Sequence, residues 1–224
     1  MLTHQLQRLF SAGALPDPLP ADPMPLFKRW FDDAHHAPRT PNPNAMILAT
    51  ATVDGAPSAR TVLCKSIDME SPAVIFFTNY EGRKGRELRA NPRCAGVFHW
   101  DHDQRQARVE GVATVLPAGD SDAYFASRPL LSRLGAWASL QSQPMVRSSD
   151  LLTRLAEVAE RFAISPADVI AGNNDIDVPR PPHWGGFRIE LARLELWAGR
   201  SGRLHDRAEW VRTGGAWKAQ YLFP

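Results

Sequence analysis

The sequence predicts a mostly β protein with flanking helices, of the α+β class, built around an antiparallel β-barrel. Two observations predict this class. Strand-like runs follow one another closely between residues 45 and 116. Short polar segments such as Asp54-Gly55 separate them, and such segments are typical of hairpin turns. Several antiparallel strands in close succession favour a barrel over a parallel sheet.

The N-terminal part begins with an irregular, proline-containing segment over residues 1–20. A helix is expected to start at Ala21-Asp22-Pro23, with Asp22 as its cap and Pro23 in its first turn. Its apolar face comprises Leu26, Phe27, Trp30 and Phe31. The helix is expected to end before the loop that holds Pro38, Pro41 and Pro43.

The remaining elements follow from periodicity and turn residues. The expected strands span residues 45–53, 58–65, 73–78, 93–100, 104–116, 184–197, 204–212 and 216–222. The expected helices span residues 82–90, 120–127, 130–138 and 150–162, the last capped by Ser148-Ser149-Asp150. Residues 171–182 are expected to form a loop. Gly185-Gly186 indicates a bulge or a close backbone approach, and Thr213-Gly214-Gly215 a hairpin turn. We expect residues 21–224 to form one domain.

Composition narrows the possible functions. The chain has 224 residues, 26 basic and 24 acidic, so its formal charge of +2 does not favour a nucleic-acid partner. It shows neither a membrane-spanning apolar run nor a signal peptide, and we expect a cytoplasmic protein with no membrane partner. Cys64 and Cys94 lack the spacing of a metal site or a redox pair. We therefore expect two reduced, partly buried thiols and no metal site.

The sequence contains no nucleotide-binding glycine fingerprint, no Walker loop, no nucleophile elbow and no His-Glu-x-x-His segment. A phosphorylated ligand would therefore be held by side chains. Arg83 and Lys84 open a predicted helix, whose free amides and positive end suit a phosphate. The alternative is a solvated basic helix start. Arg60 and Lys65 are five residues apart on one strand, which places them on opposite faces unless a bulge intervenes.

Two polar groups follow in the helical part. Arg128 and Ser132 are four residues apart on a helical segment, and Tyr124 lies one turn earlier, so the three could converge on a phosphate. The alternative is a surface arginine beside a helix-capping serine. Gln141 and Ser142 could bind the polar edge of a heterocycle, or could belong to an ordinary loop.

The densest cluster is Arg203-Leu204-His205-Asp206-Arg207. On a strand, Arg203, His205 and Arg207 would face the same side. Three cationic or titratable groups on one face repel one another unless an anion lies among them, which favours an anionic ligand. The alternative is an exposed basic edge strand.

Taken in order, these segments resemble the pyridoxamine 5'-phosphate oxidases, flavoproteins with an FMN-binding split β-barrel. The resemblance runs from Leu19-Pro20-Ala21-Asp22-Pro23 to the C-terminus, about nine-tenths of the chain. Its most specific part is Leu194-Glu195-Leu196-Trp197 followed by Arg203-Leu204-His205-Asp206-Arg207. The other matching segments are Arg60-Thr61-Val62-Leu63-Cys64-Lys65, Phe77-Thr78-Asn79, Arg83-Lys84, Arg105-Gln106, Ser127-Arg128-Pro129, Gln141-Ser142 and Trp184-Gly185-Gly186.

The resemblance implies a homodimer that binds FMN at the subunit interface. It implies a cofactor site of Arg60, Thr61, Val62, Leu63, Lys65, Phe77, Thr78, Arg83, Lys84, Gln106, Gln141, Ser142, Trp197 and Arg207. It implies a substrate site of Lys65, Tyr124, Arg128, Ser132, Arg203 and His205, with Arg203 and His205 as the catalytic pair. The implied reaction oxidises pyridoxamine or pyridoxine 5'-phosphate to pyridoxal 5'-phosphate and reduces dioxygen to hydrogen peroxide.

Three departures from the family pattern bear on substrate preference and efficiency. Gln7-Arg8-Leu9-Phe10 stands where an Arg and a Tyr often close over the substrate. The chain ends Tyr221-Leu222-Phe223-Pro224 instead of with Arg before Leu-Ala-Pro. Leu196 and Ala198 replace an aromatic and a polar residue.

Two alternatives remain open. One is a sister flavin oxidase of the same fold that acts on another reduced heterocycle, such as a phenazine precursor. The retained Lys65, Tyr124, Arg128 and Ser132 argue against it. The other is a non-catalytic module that binds flavin or pyridoxal phosphate, against which the retained Arg203 and His205 argue.

Overall fold

A computed structural model describes residues 15–36 and 41–224. Its helices span Met24–His36 (α1), Arg83–Ala90 (α2), Ala118–Ala126 (α3), Leu130–Ala138 (α4), Asp150–Arg161 (α5) and Pro166–Ala171 (α6). Its strands span Ala45–Ala51 (β1), Pro57–Asp68 (β2), Ala73–Asn79 (β3), Arg93–Trp100 (β4), Arg105–Val115 (β5), Trp184–Ala198 (β6), Asp206–Thr213 (β7) and Ala216–Leu222 (β8). The chain before Leu15, including Gln7-Arg8-Leu9-Phe10, lies outside the described residues, as does the expected start of the proline loop after α1.

All eight strands belong to one antiparallel sheet in the order β3-β2-β1-β4-β5-β6-β7-β8. An additional pairing between β3 and β6 closes the first six strands into a ring. The strands β7 and β8 extend the sheet beyond this ring from the C-terminal half of β6. The predicted antiparallel barrel with flanking helices is therefore confirmed.

Turn chemistry explains the hairpins, with one difference from expectation. Thr213 pairs with Ala216, so Gly214 and Gly215 alone form the β7–β8 turn, and both have positive φ as a two-residue hairpin of this kind requires. The Asp54-Gly55 segment instead belongs to a five-residue loop, because the β1–β2 pairing ends where Ala51 faces Pro57.

The main core fills the inside of the ring, and α1 packs across it. The rings of Phe27 and Phe31 lie 5.5 and 5.9 Å from that of Phe98 on β4. Asp22 accepts a hydrogen bond from the amide of Met24, in agreement with its predicted role as the cap of α1. Beyond α1, the indole of Trp210 donates to the carbonyl of Pro20, so the segment before the helix is attached to β7.

A second, smaller apolar cluster joins the helices that lie outside the barrel. It is formed by Leu130, Leu134, Ile164 and Val178 with partly buried neighbours from α5 and α6. The buried Arg133 of α4 donates to the carbonyls of Asn174 and Ile176, and the Asn174 side chain accepts from the amide of Leu130. The predicted loop after residue 171 is thus attached to the start of α4.

Of the two possibilities predicted for Gly185-Gly186, the structure shows the close approach, because a Cβ on Gly185 would lie 2.1 Å from the Tyr80 hydroxyl. Three details differ from the sequence predictions. Helix α6 is not among the predicted helices. Ser149 precedes α5 without a side-chain capping bond. The predicted strand at residue 204 begins only at Asp206, because Ser201–Arg203 form a short 3-10 turn.

Both cysteine thiols are buried, and burial raises the pKa of Cys64 and of Cys94 to about 12. Thiols with such pKa values are protonated at neutral pH and poor nucleophiles. Among the described residues, no helix combines the length and the apolar composition that a membrane crossing requires. No group of three or more His, Cys, Asp or Glu side chains in the same part of the chain could hold a metal ion.

Candidate active site

A cavity of about 430 Å³ lies beside the barrel. Strands β2 and β3, the start of α2, the α3–α4 connection and the first residue of β6 surround it. Its lining comprises Thr61, Val62, Leu63, Lys65, Phe77, Thr78, Asn79, Lys84, Tyr124, Arg128, Pro129, Ser132, Gln141 and Trp184. The structure therefore brings eleven of the predicted site residues together, from five separate segments of the sequence.

Lys84 is the most deeply buried cation of the cavity, with only 9% of the residue exposed. Its Nζ donates to Oε1 of Gln141 at 2.6 Å, and the Thr78 hydroxyl donates to the same oxygen at 3.2 Å. Burial and the nearby charge of Arg60 lower the pKa of Lys84 to about 8. The partner of this ammonium is thus a neutral amide, and an anion in the cavity would compensate its charge.

Two predicted cofactor residues, Arg60 and Arg83, do not line the cavity. Arg60 lies 3.4 Å and Arg83 2.8 Å from the carboxylate of Glu87 on α2. Burial by itself raises the pKa of Glu87, but hydrogen bonds from Ser58, Thr50 and Arg83 outweigh it and lower the pKa to about 2. Glu87 therefore neutralises much of the charge of both arginines. The alternative to a phosphate site at this helix start was a pair of solvated basic side chains. That alternative holds for the exposed Arg83 and is wrong for the buried Lys84.

Lys65 keeps the regular alternation of β2 up to a bulge in the strand. The β2–β3 register shifts between Cys64 and Ser66, so the bulge lies at Lys65. It lines the cavity together with Thr61 and Leu63, whereas Arg60 faces the other side of the strand, where Glu87 lies. The predicted separation of Arg60 and Lys65 onto opposite faces is confirmed.

Arg128 lies in the connection between α3 and α4, so it does not share a helix with Ser132 as predicted. Both residues nevertheless line the cavity, because the connection brings the start of α4 beside Arg128. The guanidinium Nη1 of Arg128 is buried and has no hydrogen-bond partner among the described residues. Burial lowers the pKa of Arg128, with a smaller opposing effect of Tyr124. The alternative of a surface arginine is therefore wrong.

Aromatic rings form one wall of the cavity. The rings of Phe77 and Tyr124 are stacked with centroids 3.9 Å apart, and Phe77 and Trp184 are stacked at 5.6 Å. The Nζ of Lys65 lies 6.0 Å from the Tyr124 ring, and the guanidinium of Arg128 lies 4.6 Å from the Trp184 ring. Flat apolar surfaces beside unpaired cations suit a flat, anionic ligand.

Ser142 follows Gln141 with a positive φ of 69° and does not line the cavity. The other predicted site residues form a second group, away from this cavity. Gln106 of β5 faces Trp197 of β6, and Trp197 faces Arg207 of β7, so the three lie in one row across the sheet. Arg207 pairs with Glu195 at 2.8 Å, and Arg108 pairs with the same carboxylate at 2.9 Å. The sequence predicts an anion beside Arg207, and the carboxylate of Glu195 in the same chain provides part of that negative charge.

Arg203 and His205 lie next to this row, in the turn before β7. Arg203 is exposed with a positive φ of 60°, so the strand alternation predicted for Arg203, His205 and Arg207 is wrong. The imidazole of His205 lies 4.7 Å from the Trp197 ring, and its Nδ1 accepts a hydrogen bond from the amide of Arg200 at 3.1 Å. The proton of the neutral imidazole is therefore on Nε2.

The two groups lie at opposite ends of β6. Trp184, its first residue, lines the cavity, and Trp197 lies near its other end. At about 3.3 Å per residue, roughly 40 Å of strand separates them. None of Gln106, Trp197, Arg203, His205 and Arg207 lines the cavity.

Several residues of the site were missed by the sequence analysis as functional candidates. Asn79, Pro129 and Trp184 line the cavity, and each lies within a segment that carries the family resemblance. Glu87 and Glu195 compensate the charges of the predicted arginines. The two glutamates gave no signal in sequence, because a glutamate in a helix or strand is ordinarily solvent-exposed.

Comparison with known proteins identifies relatives along most of the chain. A family model described as pyridoxamine 5'-phosphate oxidase matches residues 32–161. A second, described as the pyridoxine 5'-phosphate oxidase C-terminal dimerisation region, matches residues 184–224. A pyridoxine/pyridoxamine 5'-phosphate oxidase of Rubrobacter xylanophilus is 49% identical over 95% of this chain and 92% of its own length.

Two solved structures are similar to this fold. The structure of PhzG from Burkholderia lata 383, in complex with tetrahydrophenazine-1-carboxylic acid, has a TM-score of 0.80 at 34% identity. It covers 93% of this chain and 95% of its own. A pyridoxamine 5'-phosphate oxidase-related, FMN binding protein from Nostoc punctiforme has a TM-score of 0.69 at 16% identity, covering 89% of this chain and 98% of its own. At that identity the second likeness supports the split-barrel fold alone.

Proposed function

Because the chain belongs to the pyridoxamine 5'-phosphate oxidase family, we propose that it uses FMN to oxidise pyridoxamine or pyridoxine 5'-phosphate to pyridoxal 5'-phosphate. Pyridoxamine 5'-phosphate, dioxygen and water give pyridoxal 5'-phosphate, ammonia and hydrogen peroxide. Pyridoxine 5'-phosphate and dioxygen give pyridoxal 5'-phosphate and hydrogen peroxide. The observation that carries the proposal is that Arg128 lines the cavity together with Lys65, while its buried Nη1 has no hydrogen-bond partner among the described residues.

The residues around Lys84 fit the phosphate of FMN. A buried ammonium with a neutral partner, at the start of helix α2, is suited to a dianion. Thr78 and Gln141 add polar atoms, and Thr61, Val62 and Leu63 add backbone groups of β2 beside the cavity. Arg60, Arg83 and Ser142 belong to the proposed set, although none of the three lines the cavity. When bound, FMN supplies the hydride acceptor and the group that reduces dioxygen.

Arg128, Lys65, Tyr124 and Ser132 would hold the phosphate of the substrate. Two cations and two hydroxyl groups converge on one cavity, and the free guanidinium donors of Arg128 match phosphate oxygens. A phosphate anchored there is held against the aromatic wall of Phe77, Tyr124 and Trp184. This anchoring would fix the distance from the phosphate to the carbon that is oxidised.

Arg203 and His205 would contact the substrate ring from the second group. Because Nδ1 of His205 accepts the amide hydrogen of Arg200, the neutral imidazole presents an N–H donor at Nε2. His205 would thus orient the substrate by donating a hydrogen bond. Arg203, exposed at the tip of its turn, would add positive charge over the ring.

We further propose that two copies of the chain form each site. Residues 184–224 match a dimerisation region, and they carry Trp197, Arg203, His205 and Arg207. The length of β6 separates these residues from the cavity of the same chain, so a partner subunit is the natural source of the second group. The cavity of one protomer and the Gln106–Trp197–Arg207 row of its partner would then enclose one FMN.

The test is hydrogen peroxide release by the FMN-loaded protein in air, with pyridoxamine 5'-phosphate and pyridoxine 5'-phosphate in turn. Turnover of either substrate supports the proposal, and the ratio of the rates gives the preference. A protein that keeps FMN but releases no peroxide with either substrate would contradict it. The same result would leave a non-catalytic flavin module as the alternative.

A second candidate function is favoured by the likeness to PhzG. By this alternative the chain would oxidise a reduced phenazine carboxylic acid. Such a ligand carries a carboxylate and no phosphate, whereas the cavity offers both Lys65 and Arg128. Turnover of a dihydrophenazine carboxylic acid, without turnover of either B6 phosphate, would favour this alternative.

A further inference from the structure

Trp184 lines the cavity, and the proposed function gives it no role beyond its place in the aromatic wall. It is 6% exposed, and its ring belongs to a small buried cluster with Phe125 and Ala136. The guanidinium of Arg128 lies 4.6 Å from the Trp184 ring and 5.7 Å from the Phe125 ring. Of the two rings, only that of Trp184 also lines the cavity.

This contact matters because of how Arg128 is otherwise held. Its Nη1 is buried without a hydrogen-bond partner among the described residues, so that donor is not fixed by a protein acceptor. An aromatic face attracts a guanidinium and occupies none of its N–H donors. The Trp184 ring can therefore hold Arg128 at the cavity without occupying any N–H donor of its guanidinium.

The Trp184 ring also supports Tyr124 and Lys65, which the proposed function assigns to the substrate phosphate. Trp184 stacks on Phe77 with an interplanar angle of 13°, and Phe77 stacks on Tyr124 with an angle of 18°. The Nζ of Lys65 lies 6.0 Å from the third ring of this stack, that of Tyr124. The positions of Arg128, Tyr124 and Lys65 are thus linked through three nearly parallel rings.

The backbone around Trp184 ties this wall to helix α3, which carries Tyr124. Arg180 donates to the Trp184 carbonyl and to Asp122 of α3, both at 2.6 Å. The amide of Gly186 donates to the buried hydroxyl of Ser121 at 3.1 Å. The ring and the helix are therefore held in one fixed arrangement.

We propose that Trp184 is a positioning residue that makes the site selective for a phosphorylated substrate, by holding Arg128 directly and Tyr124 through Phe77. This inference rests on the proposed function, since it assigns the substrate phosphate to the Arg128 cavity. It also predicts that the aromatic face matters more than the volume of the side chain. Phenylalanine should then replace tryptophan far better than leucine.

The experiment compares Trp184→Leu and Trp184→Phe with the FMN-loaded wild-type protein. For pyridoxamine 5'-phosphate we expect Trp184→Leu to raise KM roughly tenfold, equivalent to about 1.4 kcal/mol, with kcat within about twofold. Trp184→Phe should recover most of this loss. The affinity for pyridoxal, which has no phosphate, should stay unchanged while that for pyridoxal 5'-phosphate falls, as measured by calorimetry.

Trp30→Leu is the matched control. Trp30 is 3% exposed in the main core, the guanidinium of Arg105 lies 5.0 Å from its ring, and neither residue lines the cavity. We expect this variant to lose a similar amount of thermal stability and to keep the wild-type KM. An equal rise in KM for both leucine variants would overturn the proposal, because it would indicate a general packing effect.

Two outcomes separate this inference from the proposed reaction. If the wild-type protein turns over neither B6 phosphate, yet Trp184→Leu selectively weakens pyridoxal 5'-phosphate binding, the proposed reaction fails and the positioning role holds. If turnover is normal and Trp184→Leu changes neither KM nor the pyridoxal 5'-phosphate affinity, the positioning role fails. If Trp184→Leu does not fold, a KM for Trp184→Phe close to that of wild type supports the role, and one raised tenfold contradicts it.

Discussion

At the scale of single residues, the site depends on cations that the protein does not fully neutralise. Lys84 is buried beside a neutral amide, and Arg128 keeps a buried donor without a partner among the described residues. Each costs folding free energy, because a buried charge without a counter-charge is unfavourable. By contrast, Arg60, Arg83 and Arg207 contact glutamates. An anionic ligand would therefore gain the most binding free energy beside Lys84 and Arg128, whose charges the protein does not fully compensate.

The lowered pKa of Lys84 predicts a pH dependence of FMN binding. In the ligand-free protein Lys84 loses its proton as the pH rises through about 8. A bound phosphate favours the ammonium form and raises this pKa again, so binding above pH 8 takes up a proton. We expect the Kd for FMN to be nearly constant from pH 7 to 8 and to rise by up to about tenfold per pH unit above it.

Quenching of flavin fluorescence by the apoprotein measures this dependence. Lys84→Met should bind FMN more weakly at pH 7 and should lose the rise above pH 8. Riboflavin, which has no phosphate, serves as the control ligand and should bind with little change over the same range. A wild-type Kd that stays flat to pH 9.5 would remove Lys84 from the phosphate site.

Arg203 and His205 give a second prediction at this scale. Arg203→Ala should lower kcat/KM for pyridoxamine 5'-phosphate by about a hundredfold or more and leave FMN bound, since Arg203 is exposed at the tip of its turn and lines no part of the cavity. Steady-state peroxide release and the flavin-to-protein absorbance ratio measure the two effects. Unchanged turnover would mean that this turn does not contact the substrate.

At the scale of elements, helix α2 is attached to the barrel by one carboxylate. Glu87 accepts hydrogen bonds from Thr50, Ser58 and Arg83 and pairs with Arg60, so it ties α2 to β1 and β2. Gly85 brings the helix against the chain before it, because a Cβ there would lie 2.2 Å from the Tyr80 carbonyl oxygen. Lys84, directly before Gly85 in the sequence, owes its position in the cavity to both contacts.

Glu87→Gln tests this attachment through stability. The folded-state pKa of Glu87 lies near 2, below its ordinary value of 4.5, so its stabilising contribution is complete above pH 4.5 and is lost as the pH falls towards 2. We expect the variant to lower the free energy of unfolding by about 2 kcal/mol at pH 7. The difference from wild type should shrink between pH 4.5 and 2, as followed by urea denaturation.

Glu81→Gln is the matched control for this change. Glu81 precedes the same helix and is exposed, so its substitution should change stability by less than about 0.5 kcal/mol. Equal effects of the two substitutions would show that net charge, and not the Glu87 contacts, is responsible.

At the scale of the whole molecule, β6 separates the two parts of the proposed site. The cavity adjoins its first residue, and the row with Trp197 crosses its far end. A second copy of the chain could supply the missing part, in agreement with the match of residues 184–224 to a dimerisation region. The site would then depend on assembly as well as on folding.

Subunit complementation tests this arrangement. Arg128→Ala removes a residue of the cavity and Arg203→Ala one of the other group, so each variant alone should be nearly inactive. After mixed refolding, half of the dimers would be hybrids with one intact site of two, so activity should return to roughly a quarter of wild type. A mixture as inactive as its components would place both groups in a site made by a single chain.

The sequence by itself determined the class of fold, most element boundaries and eleven of the fourteen residues that line the cavity. Strand alternation and turn glycines depend on neighbours in the chain, so β4, α4 and the Gly214-Gly215 turn were predicted from local patterns. The order of the matching segments indicated the family, which the relatives then confirmed. Strand and turn patterns are local properties of the sequence, and the family resemblance is the sum of many short matches along it.

Only the tertiary structure decided which of these residues meet. The aromatic wall behind Arg128 and the carboxylates that neutralise Arg60 and Arg207 join residues distant in sequence. Periodicity also failed at Arg203, because the chain turns before β7 begins. Charge compensation and ring contacts depend on distances across the fold, and a pattern along one chain contains no information about those distances.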